Sequence, residues 1–144
     1  MKNVLFVCSG NSGRSIMAEA VLRKIGDHHF RAFSAGSHPT GMVNPLAIEE
    51  LTRRGYPVDG LASKSWKRYL TPDALKMDFV ISVCALAARE NQPLWPGDPH
   101  TLFWTFRSPG SEQGNDAAVR KAFADVCSDI EQSVRRFVSG SAHA

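Results

Sequence analysis

Two predominantly hydrophobic runs have the character of buried parallel β-strands. One covers residues 3–7 and ends in a glycine- and serine-rich turn, and the other covers residues 78–83 and ends at Cys84. Strands that are covered on both faces of a parallel sheet read as continuous apolar runs rather than as alternating ones. Residues 30–34 predict another short strand, and residues 100–106 have the aromatic and β-branched content of a further one.

The stretches between these runs have the patterns of helices. Residues 15–25 are good helix formers with an apolar residue at every fourth position, and Gly26 is placed to end that helix. The Asn-Pro pair at 44–45 is an N-cap followed by proline at the first helical position. This second helix is expected to run to residue 54, before a glycine, and residues 65–70 are expected to form a short helical turn.

A long amphipathic helix is expected near the carboxyl terminus. From Asp116 to Phe137, apolar residues recur at spacings of three and four positions, which places them in one stripe on the helix surface. Residues 139–144 are expected to form a flexible tail.

The alternation of strands and helices predicts an α/β fold, namely a three-layer architecture around a four-stranded parallel sheet. In open sheets of this kind, ligands bind at the carboxyl ends of the strands. Residues 8–15, the segment from Cys84 onward and residues 107–110 all follow predicted strands. One site can therefore be built from three loops.

Composition and charge limit the class of protein. The chain has 144 residues, the length of one ordinary domain, and residues 1–144 are expected to fold as a single unit. The formal net charge is +3 and the 17 Lys and Arg residues are spread along the chain, so no nucleic-acid-binding patch is expected. The amino-terminal apolar run is too short for a signal peptide or a membrane span. A small anionic ligand suits this charge balance.

The three cysteines, at positions 8, 84 and 127, do not form a pattern of disulfide pairs, and no Cys/His cluster has the spacing of zinc ligands. No metal or tightly bound cofactor is therefore expected, and the expected location is a reducing cytoplasm. The thiols remain available for chemistry.

The segment Cys8–Ser15, with the sequence CSGNSGRS, lies between the first predicted strand and the first predicted helix. Gly10, Asn11 and Gly13 tolerate positive φ, so the loop can turn its backbone amides inward and form an anion-binding nest. Arg14 offers a planar fork to two oxygens of a tetrahedral oxyanion, and the helix that follows adds its positive end.

The same groups are expected to lower the pKa of Cys8. A free thiol has a pKa of about 8.5, whereas a thiol that faces amides, a guanidinium and a helix N-terminus falls to about 3.5–7.5 and becomes a nucleophile. The alternative is a buried cysteine with an unrelated surface arginine. The strand before the loop, the glycines within it and the helix after it favour the anion site.

Four segments together indicate a family. They are VCSGNSGRS with the following MAEA in residues 7–20, SAG..P.G.VNP.A in residues 34–47, DFVISVC in residues 78–84 and WTFRSP in residues 104–109. With them the chain resembles the low-molecular-weight protein tyrosine phosphatase superfamily, and within it the arsenate reductase branch. The resemblance runs from residue 2 to about residue 138 and implies the flavodoxin-like fold of that family.

The resemblance implies roles for the residues of the loop. Cys8 would be the nucleophile, and Ser15 would donate a hydrogen bond to its thiolate. The oxyanion would be held by Arg14 together with the loop formed by Ser9, Gly10, Asn11, Ser12 and Gly13. Glu19, one turn into the helix, would either support the loop from behind or lie on a solvated face.

Cys84 is the second cysteine for which the resemblance implies a role. In the reductase branch, a cysteine at this strand end attacks the arsenic adduct on the nucleophile, which releases arsenite and leaves a disulfide. This step requires a loop movement that brings the thiol near Cys8, because cysteines whose Cα atoms stay more than about 7 Å apart cannot bridge. The structural alternative is a small core residue that closes a buried strand.

The cysteine content departs from the family pattern. Thioredoxin-coupled members carry a third cysteine a few residues after the second, and residues 85–93 contain none. Cys127, beside the apolar stripe of the last helix, is expected to be a packing residue. Turnover would then need an external thiol: glutathione with glutaredoxin, mycothiol, or thioredoxin acting directly.

The general acid is the second departure. Family members place an Asp immediately before the proline in the loop after the fourth strand, and here Ser108 stands before Pro109. A serine hydroxyl is a poor acid near neutral pH, so the gain of about 10²–10⁴ from general acid catalysis would be absent unless another group supplies the proton. Asp98, which also precedes a proline but ten residues earlier, is expected to be a turn residue rather than a substitute acid.

These observations predict an arsenate reductase, with arsenate as substrate and phosphate as competitor. Expelling water or hydroxide from arsenate depends less on an acid than expelling an aryloxide from an aryl phosphate. Residues 110–112, Gly-Ser-Glu, also replace the aromatic residues with which the phosphatases grip phosphotyrosine. A low-molecular-weight phosphatase and a non-catalytic oxyanion-binding relative are the alternatives.

Overall fold

The structure, a computed structural model, describes residues 1–85, 92–109 and 115–142. Within these ranges one parallel sheet is formed by four strands: β1 (Lys2–Cys8), β2 (Phe30–Gly36), β3 (Phe79–Ser82) and β4 (His100–Phe103). Their order in the sheet is β2-β1-β3-β4, which is the beginning of the flavodoxin-like order. The predicted α/β fold with a four-stranded parallel sheet is confirmed.

The helices of the described residues are α1 (Arg14–Ile25), α2 (Pro45–Arg53), the 3₁₀ helix Trp66–Tyr69 and α3 (Asp116–Ala142). The end of α1 lies where predicted, with the Gly26 amide donating to the carbonyl of Leu22 at 2.8 Å. The start of α2 also lies where predicted, because the Asn44 side chain caps it by accepting a hydrogen bond from the Leu46 amide at 2.9 Å.

The strand β4 is shorter than the sequence predicts. It ends at Phe103 because its neighbour β3 already ends at Ser82. Beyond that point two backbone hydrogen bonds keep the chain close to β3. The Trp104 amide donates to the carbonyl of Ser82 at 2.7 Å, and the Phe106 amide donates to that of Val83 at 3.2 Å.

The helix α3 is longer than the sequence predicts. It continues to Ala142, so residues 139–142, expected in a flexible tail, are helical, and residues 143–144 lie outside the described residues. Its predicted apolar stripe is buried at Phe123, Val126, Ile130 and Val134. In the described part of the chain, no helix combines the length and the apolar character that crossing a membrane requires.

The central strand β1 divides the core between the two faces of the sheet. Val4, Phe6 and Cys8 belong to the larger cluster, which includes buried residues of all three α-helices. Leu5 and Val7 belong to the smaller cluster on the other face, where Tyr69, Met77 and Trp95 cover them. Because side chains alternate along a strand, Cys8 faces the helical layer at the carboxyl end of the most buried strand.

Candidate active site

The carbonyl groups of the loop between β1 and α1 are held by a neighbouring segment. Three of them accept hydrogen bonds from backbone amides at 2.8–3.0 Å: Ser9 from His38, Gly10 from Thr40 and Ser12 from Asn44. In a trans peptide the C=O and N–H groups point in opposite directions. The N–H groups of the same three peptides, which belong to Gly10, Asn11 and Gly13, therefore point the other way. Within the described residues they donate to no protein acceptor, which leaves them available to an anion.

Asn11 gives the loop its shape. It is fully buried and adopts a φ of 47°, which asparagine tolerates better than most residues. Its Nδ2 donates to Ser15 Oγ at 2.8 Å, and its Oδ1 accepts from the Lys64 amide at 2.9 Å. Because Ser15 Oγ accepts in this contact, the Ser15 hydroxyl keeps its own proton for another acceptor. The role proposed for Ser15, donation to a thiolate, requires that proton.

A cavity of about 160 Å³ lies inside the loop. It is lined by residues from four parts of the fold: Cys8, Gly10, Ser12, Gly13 and Arg14 from the loop, Asn44 from the cap of α2, Ser108 and Pro109 from the segment after β4, and Phe123 from α3. The predicted meeting of the segments after β1 and β4 is therefore present. Residue 110, also expected there, lies outside the described residues.

The segment after β4 orients the guanidinium of Arg14. Arg14 Nη1 donates to the carbonyl oxygen of Phe106 at 2.8 Å. The amide of Phe106 in turn donates to the carbonyl of Val83, the residue before Cys84. A backbone carbonyl has no side-chain signature, and for this reason the sequence did not indicate Phe106 as part of the site.

The thiols of Cys8 and Cys84 are hydrogen-bond partners, and neither cysteine is in a disulfide. Val7 pairs with Ser82 in the sheet, and the Val83 amide donates to the Val7 carbonyl at 3.0 Å, so the chain after β3 stays beside the end of β1. Because β3 ends at Ser82, the alternation of side chains between the two faces of the sheet also ends there. Val83 and Cys84 are therefore both part of the larger core cluster, the helix-side core between the sheet and the α-helices. The expectation that a loop must move to bring the thiols together is wrong for this structure.

The pKa of the Cys8 thiol also differs from the sequence-based expectation. The hydrogen bond with Cys84 and then burial raise the pKa of Cys8, while the Arg14 guanidinium and the Ser9 amide lower it by less. The predicted net lowering of this pKa is therefore wrong for the unliganded pair. The loop amides and the guanidinium lie near Cys8 in the sequence, whereas the second thiol comes into contact with Cys8 only in the folded chain. Two adjacent thiols do not both ionise readily, because their negative charges repel.

Ser108 and Asp98, the two candidate acid positions, lie at opposite ends of the parallel strands, since Asp98 precedes β4 and Ser108 follows it. Ser108 lines the cavity that contains Cys8. Asp98 is an exposed residue with a φ of 52° in the turn before β4, and His100, just after it, pairs with Phe79 at the start of β3. Asp98 therefore lies at the amino-terminal ends of the strands, whereas the cavity lies at their carboxyl ends. The interpretation of Asp98 as a turn residue is supported.

The third cysteine lies away from the cavity. Cys127 is fully buried in α3 within the helix-side core, and burial raises the pKa of its thiol to about 12. A thiol with such a pKa stays protonated at neutral pH. Its surroundings agree with the predicted packing role.

Glu19 is buried behind the loop, so the solvated-face interpretation is wrong. It accepts hydrogen bonds from Ser34 of β2 and from Arg23, and Lys64 Nζ lies 3.9 Å from it. Burial raises the pKa of Glu19 and lowers the pKa of Lys64. The backbone amide of Lys64 also holds Asn11, so this cluster supports the loop. No group of His, Cys, Asp and Glu side chains within the described ranges is placed to hold a metal ion.

Comparisons with known proteins agree with this site. The family model described as low molecular weight phosphotyrosine protein phosphatase matches residues 3–142. An arsenate reductase of Bacillus licheniformis is 30% identical over 137 residues, which are 94% of this chain and 94% of that protein.

Solved structures of similar proteins cover nearly the whole chain. One, described as an arsenate reductase in the phosphate binding state, has a TM-score of 0.75 at 26% identity. The matched region covers 97% of this chain and 98% of the chain in that structure. Another, the thioredoxin-dependent arsenate reductase Cg_ArsC1' of Corynebacterium glutamicum, has a TM-score of 0.71 at 26% identity. The matched region covers 97% of this chain and 60% of the chain in that structure. The family predicted from the four motifs is confirmed, and the chain belongs to the low-molecular-weight phosphotyrosine protein phosphatase family.

Proposed function

We propose that the protein is an arsenate reductase in which Cys8 is the nucleophile and Cys84 is the resolving cysteine. The observation that carries this proposal is the contact between the two thiols beside a cavity lined by Arg14. Hydrolysis of a phosphate ester needs one cysteine. Reduction of arsenate to arsenite needs two electrons, and two thiols supply them when they form a disulfide.

The first step is the formation of a bond between sulfur and arsenic. Arsenate binds in the cavity, where Arg14 and the inward-facing amides of Gly10, Asn11 and Gly13 donate to its oxygens. The thiolate of Cys8 attacks arsenic, and one arsenate oxygen takes up protons and leaves as water. Arsenic remains in the +5 state in the adduct.

The second step transfers the electrons. The thiolate of Cys84 attacks the sulfur of Cys8, so that the Cys8–Cys84 bond forms and the sulfur–arsenic bond breaks. The electron pair of the broken bond stays on arsenic, which leaves as arsenite in the +3 state. The two sulfurs are oxidised to a disulfide, and the proton of Cys84 passes to solvent.

The contact between the thiols suits this order of events. Because two adjacent thiols do not both ionise readily, Cys84 stays protonated while Cys8 is a thiolate. Formation of the bond to arsenic removes the negative charge from Cys8. The repulsion that opposes ionisation of Cys84 is then removed just before Cys84 must attack.

An external thiol must reduce the disulfide to complete the cycle. We assign this step to a dithiol protein of the thioredoxin type, with support from the thioredoxin-dependent relative of Corynebacterium glutamicum. Glutathione with glutaredoxin and mycothiol are the other reductants to compare, and a reducing cytoplasm is the compartment in which all three systems operate. Phosphate is expected to compete with arsenate because both are tetrahedral oxyanions.

Mass spectrometry after arsenate treatment without a reductant tests the proposal. We expect a Cys8–Cys84 disulfide and about one arsenite released for each chain, because the two thiols provide one pair of electrons. Cys84→Ala should give no such disulfide, and Cys127→Ala, the matched control at a buried cysteine outside the cavity, should behave like the unaltered protein. Full arsenate reduction by Cys8→Ser would overturn the proposal.

A low-molecular-weight phosphatase is the second candidate, favoured by the family model and by the shared cavity with Cys8 and Arg14. Steady turnover of an aryl phosphate that is lost in Cys8→Ser and retained in Cys84→Ala would support this candidate. Binding of arsenate or phosphate without turnover, with each of the three thiol systems supplied, would instead identify a non-catalytic oxyanion-binding relative.

A further inference from the structure

We propose that the side-chain amide of Asn44 is an oxyanion-binding group of the cavity, acting beside Arg14 and the loop amides. The inference rests on the proposed function, since it concerns how the same site holds its substrate. Asn44 is half-buried and lines the cavity that contains Cys8 and Arg14. It reaches the cavity from the N-terminus of α2.

The orientation of the Asn44 amide follows from its role as an N-cap. Its Oδ1 accepts the hydrogen bond from the Leu46 amide at 2.9 Å. Only the oxygen of a carboxamide accepts, so the position of Nδ2 is determined as well. Within the described residues, Nδ2 donates to no protein acceptor, so its two N–H groups are available to a ligand.

The backbone of Asn44 ties this donor to the loop. The Asn44 amide donates to the carbonyl of Ser12 at 2.8 Å, and the Asn44 carbonyl accepts from the amide of Ala47 at 3.0 Å. Both sides of the residue are thus held, one by the anion-binding loop and one by the first turn of α2. A donor held in place before the ligand arrives needs no reorganisation when charge reaches it.

A neutral amide complements the other donors. Arg14 presents its fork to two oxygens, and the loop amides approach from the loop side. Nδ2 comes from a different element and can reach an oxygen that these groups leave uncovered. A hydrogen bond to a charged group contributes enough that its loss is expected to weaken binding by about 10-fold to 100-fold.

Two variants separate binding from capping. Asn44→Ser and Asn44→Asp both keep an oxygen that caps α2, so the stability of the helix is expected to be retained. The serine lacks the N–H groups, and the aspartate replaces them with a carboxylate oxygen. Asn115→Ser is the matched control, because Asn115 Oδ1 caps α3 through the Ala118 amide at 2.9 Å and does not line the cavity.

The test measures binding of inorganic phosphate by calorimetry, together with the midpoint of urea unfolding. We expect phosphate to bind Asn44→Ser about 10-fold to 100-fold more weakly and Asn44→Asp more weakly still, at unchanged unfolding midpoints. Asn115→Ser should bind like the unaltered protein. In steady-state reduction of arsenate, KM should rise in Asn44→Ser.

Two outcomes overturn the inference alone. Phosphate affinity that is unchanged in both Asn44 variants would show that Nδ2 does not contact the anion. An unchanged affinity in Asn44→Asp alone would have the same meaning, because a carboxylate beside the bound anion must repel it. If the unaltered protein bound neither phosphate nor arsenate, the proposed function would fail together with the inference.

Discussion

A methyl group on Gly36 would collide with the backbone that carries the nucleophile. Gly36 is the last residue of β2 and pairs with Cys8. A Cβ at this position would lie 2.5 Å from the carbonyl oxygen of Ser9 and 2.7 Å from that of Cys8. Ordinary contact begins at 3.4 Å, so the strands and loop would have to separate by about 0.9 Å. Both obstacles are backbone atoms, which cannot rotate away as a side chain can.

The expected cost of Gly36→Ala follows from this displacement. Overpacking of a dense interior costs about 1–3 kcal/mol of the free energy of unfolding. A misplacement of about 1 Å at a reacting group lowers the rate by about 100-fold. The Ser9 carbonyl also accepts the hydrogen bond from His38, so its displacement strains the anion-binding loop. We therefore expect kcat/KM for arsenate reduction to fall about 100-fold.

Urea unfolding and arsenate reduction, measured on the same preparation, check this prediction. Gly140→Ala is the control, because a methyl group at this position of α3 would meet nothing within 4 Å. It should leave the activity unchanged and, as alanine is the better helix former, stabilise the protein by up to about 1 kcal/mol. Activity and stability like those of the unaltered protein in Gly36→Ala would refute the steric argument.

Three further substitutions test other parts of the site. Cys84→Ala removes the hydrogen bond that contributes most to the raised pKa of Cys8, so the pH profile of Cys8 alkylation by iodoacetamide should shift to lower pH. An unchanged midpoint of this profile would contradict the thiol contact. Ser108→Asp should increase the rate of aryl phosphate hydrolysis by about 10²-fold to 10⁴-fold, and the pH–rate profile should show a new group that must be protonated. An unchanged rate would show that residue 108 does not face the leaving group. Cys127→Ala should lower the free energy of unfolding by about 1 kcal/mol and leave arsenate-driven disulfide formation intact, whereas loss of the disulfide would reveal a redox role.

Local residue preferences account for the positions of the strands and helices and for the shape of the loop between β1 and α1. Strand and helix positions depend on local periodicity, and the ends of helices depend on single residues such as Asn44 and Gly26. The positive φ of Asn11 within the loop likewise follows from a local preference. Predictions of this kind succeed because each depends on residues that are near one another in the chain.

Contacts between segments that are remote in the chain bring these parts together. The contact between Cys8 and Cys84 depends on where β3 ends beside β1, and this contact reverses the direction predicted for the pKa of Cys8. The anchor of Arg14 is a backbone carbonyl 92 residues away, which no side-chain pattern can indicate. Asn44 reads in the sequence as a helix cap, and only the packing of α2 against the loop places it at the cavity. Distances and backbone acceptors between remote segments arise from the packing of the whole chain, so local residue preferences do not encode them.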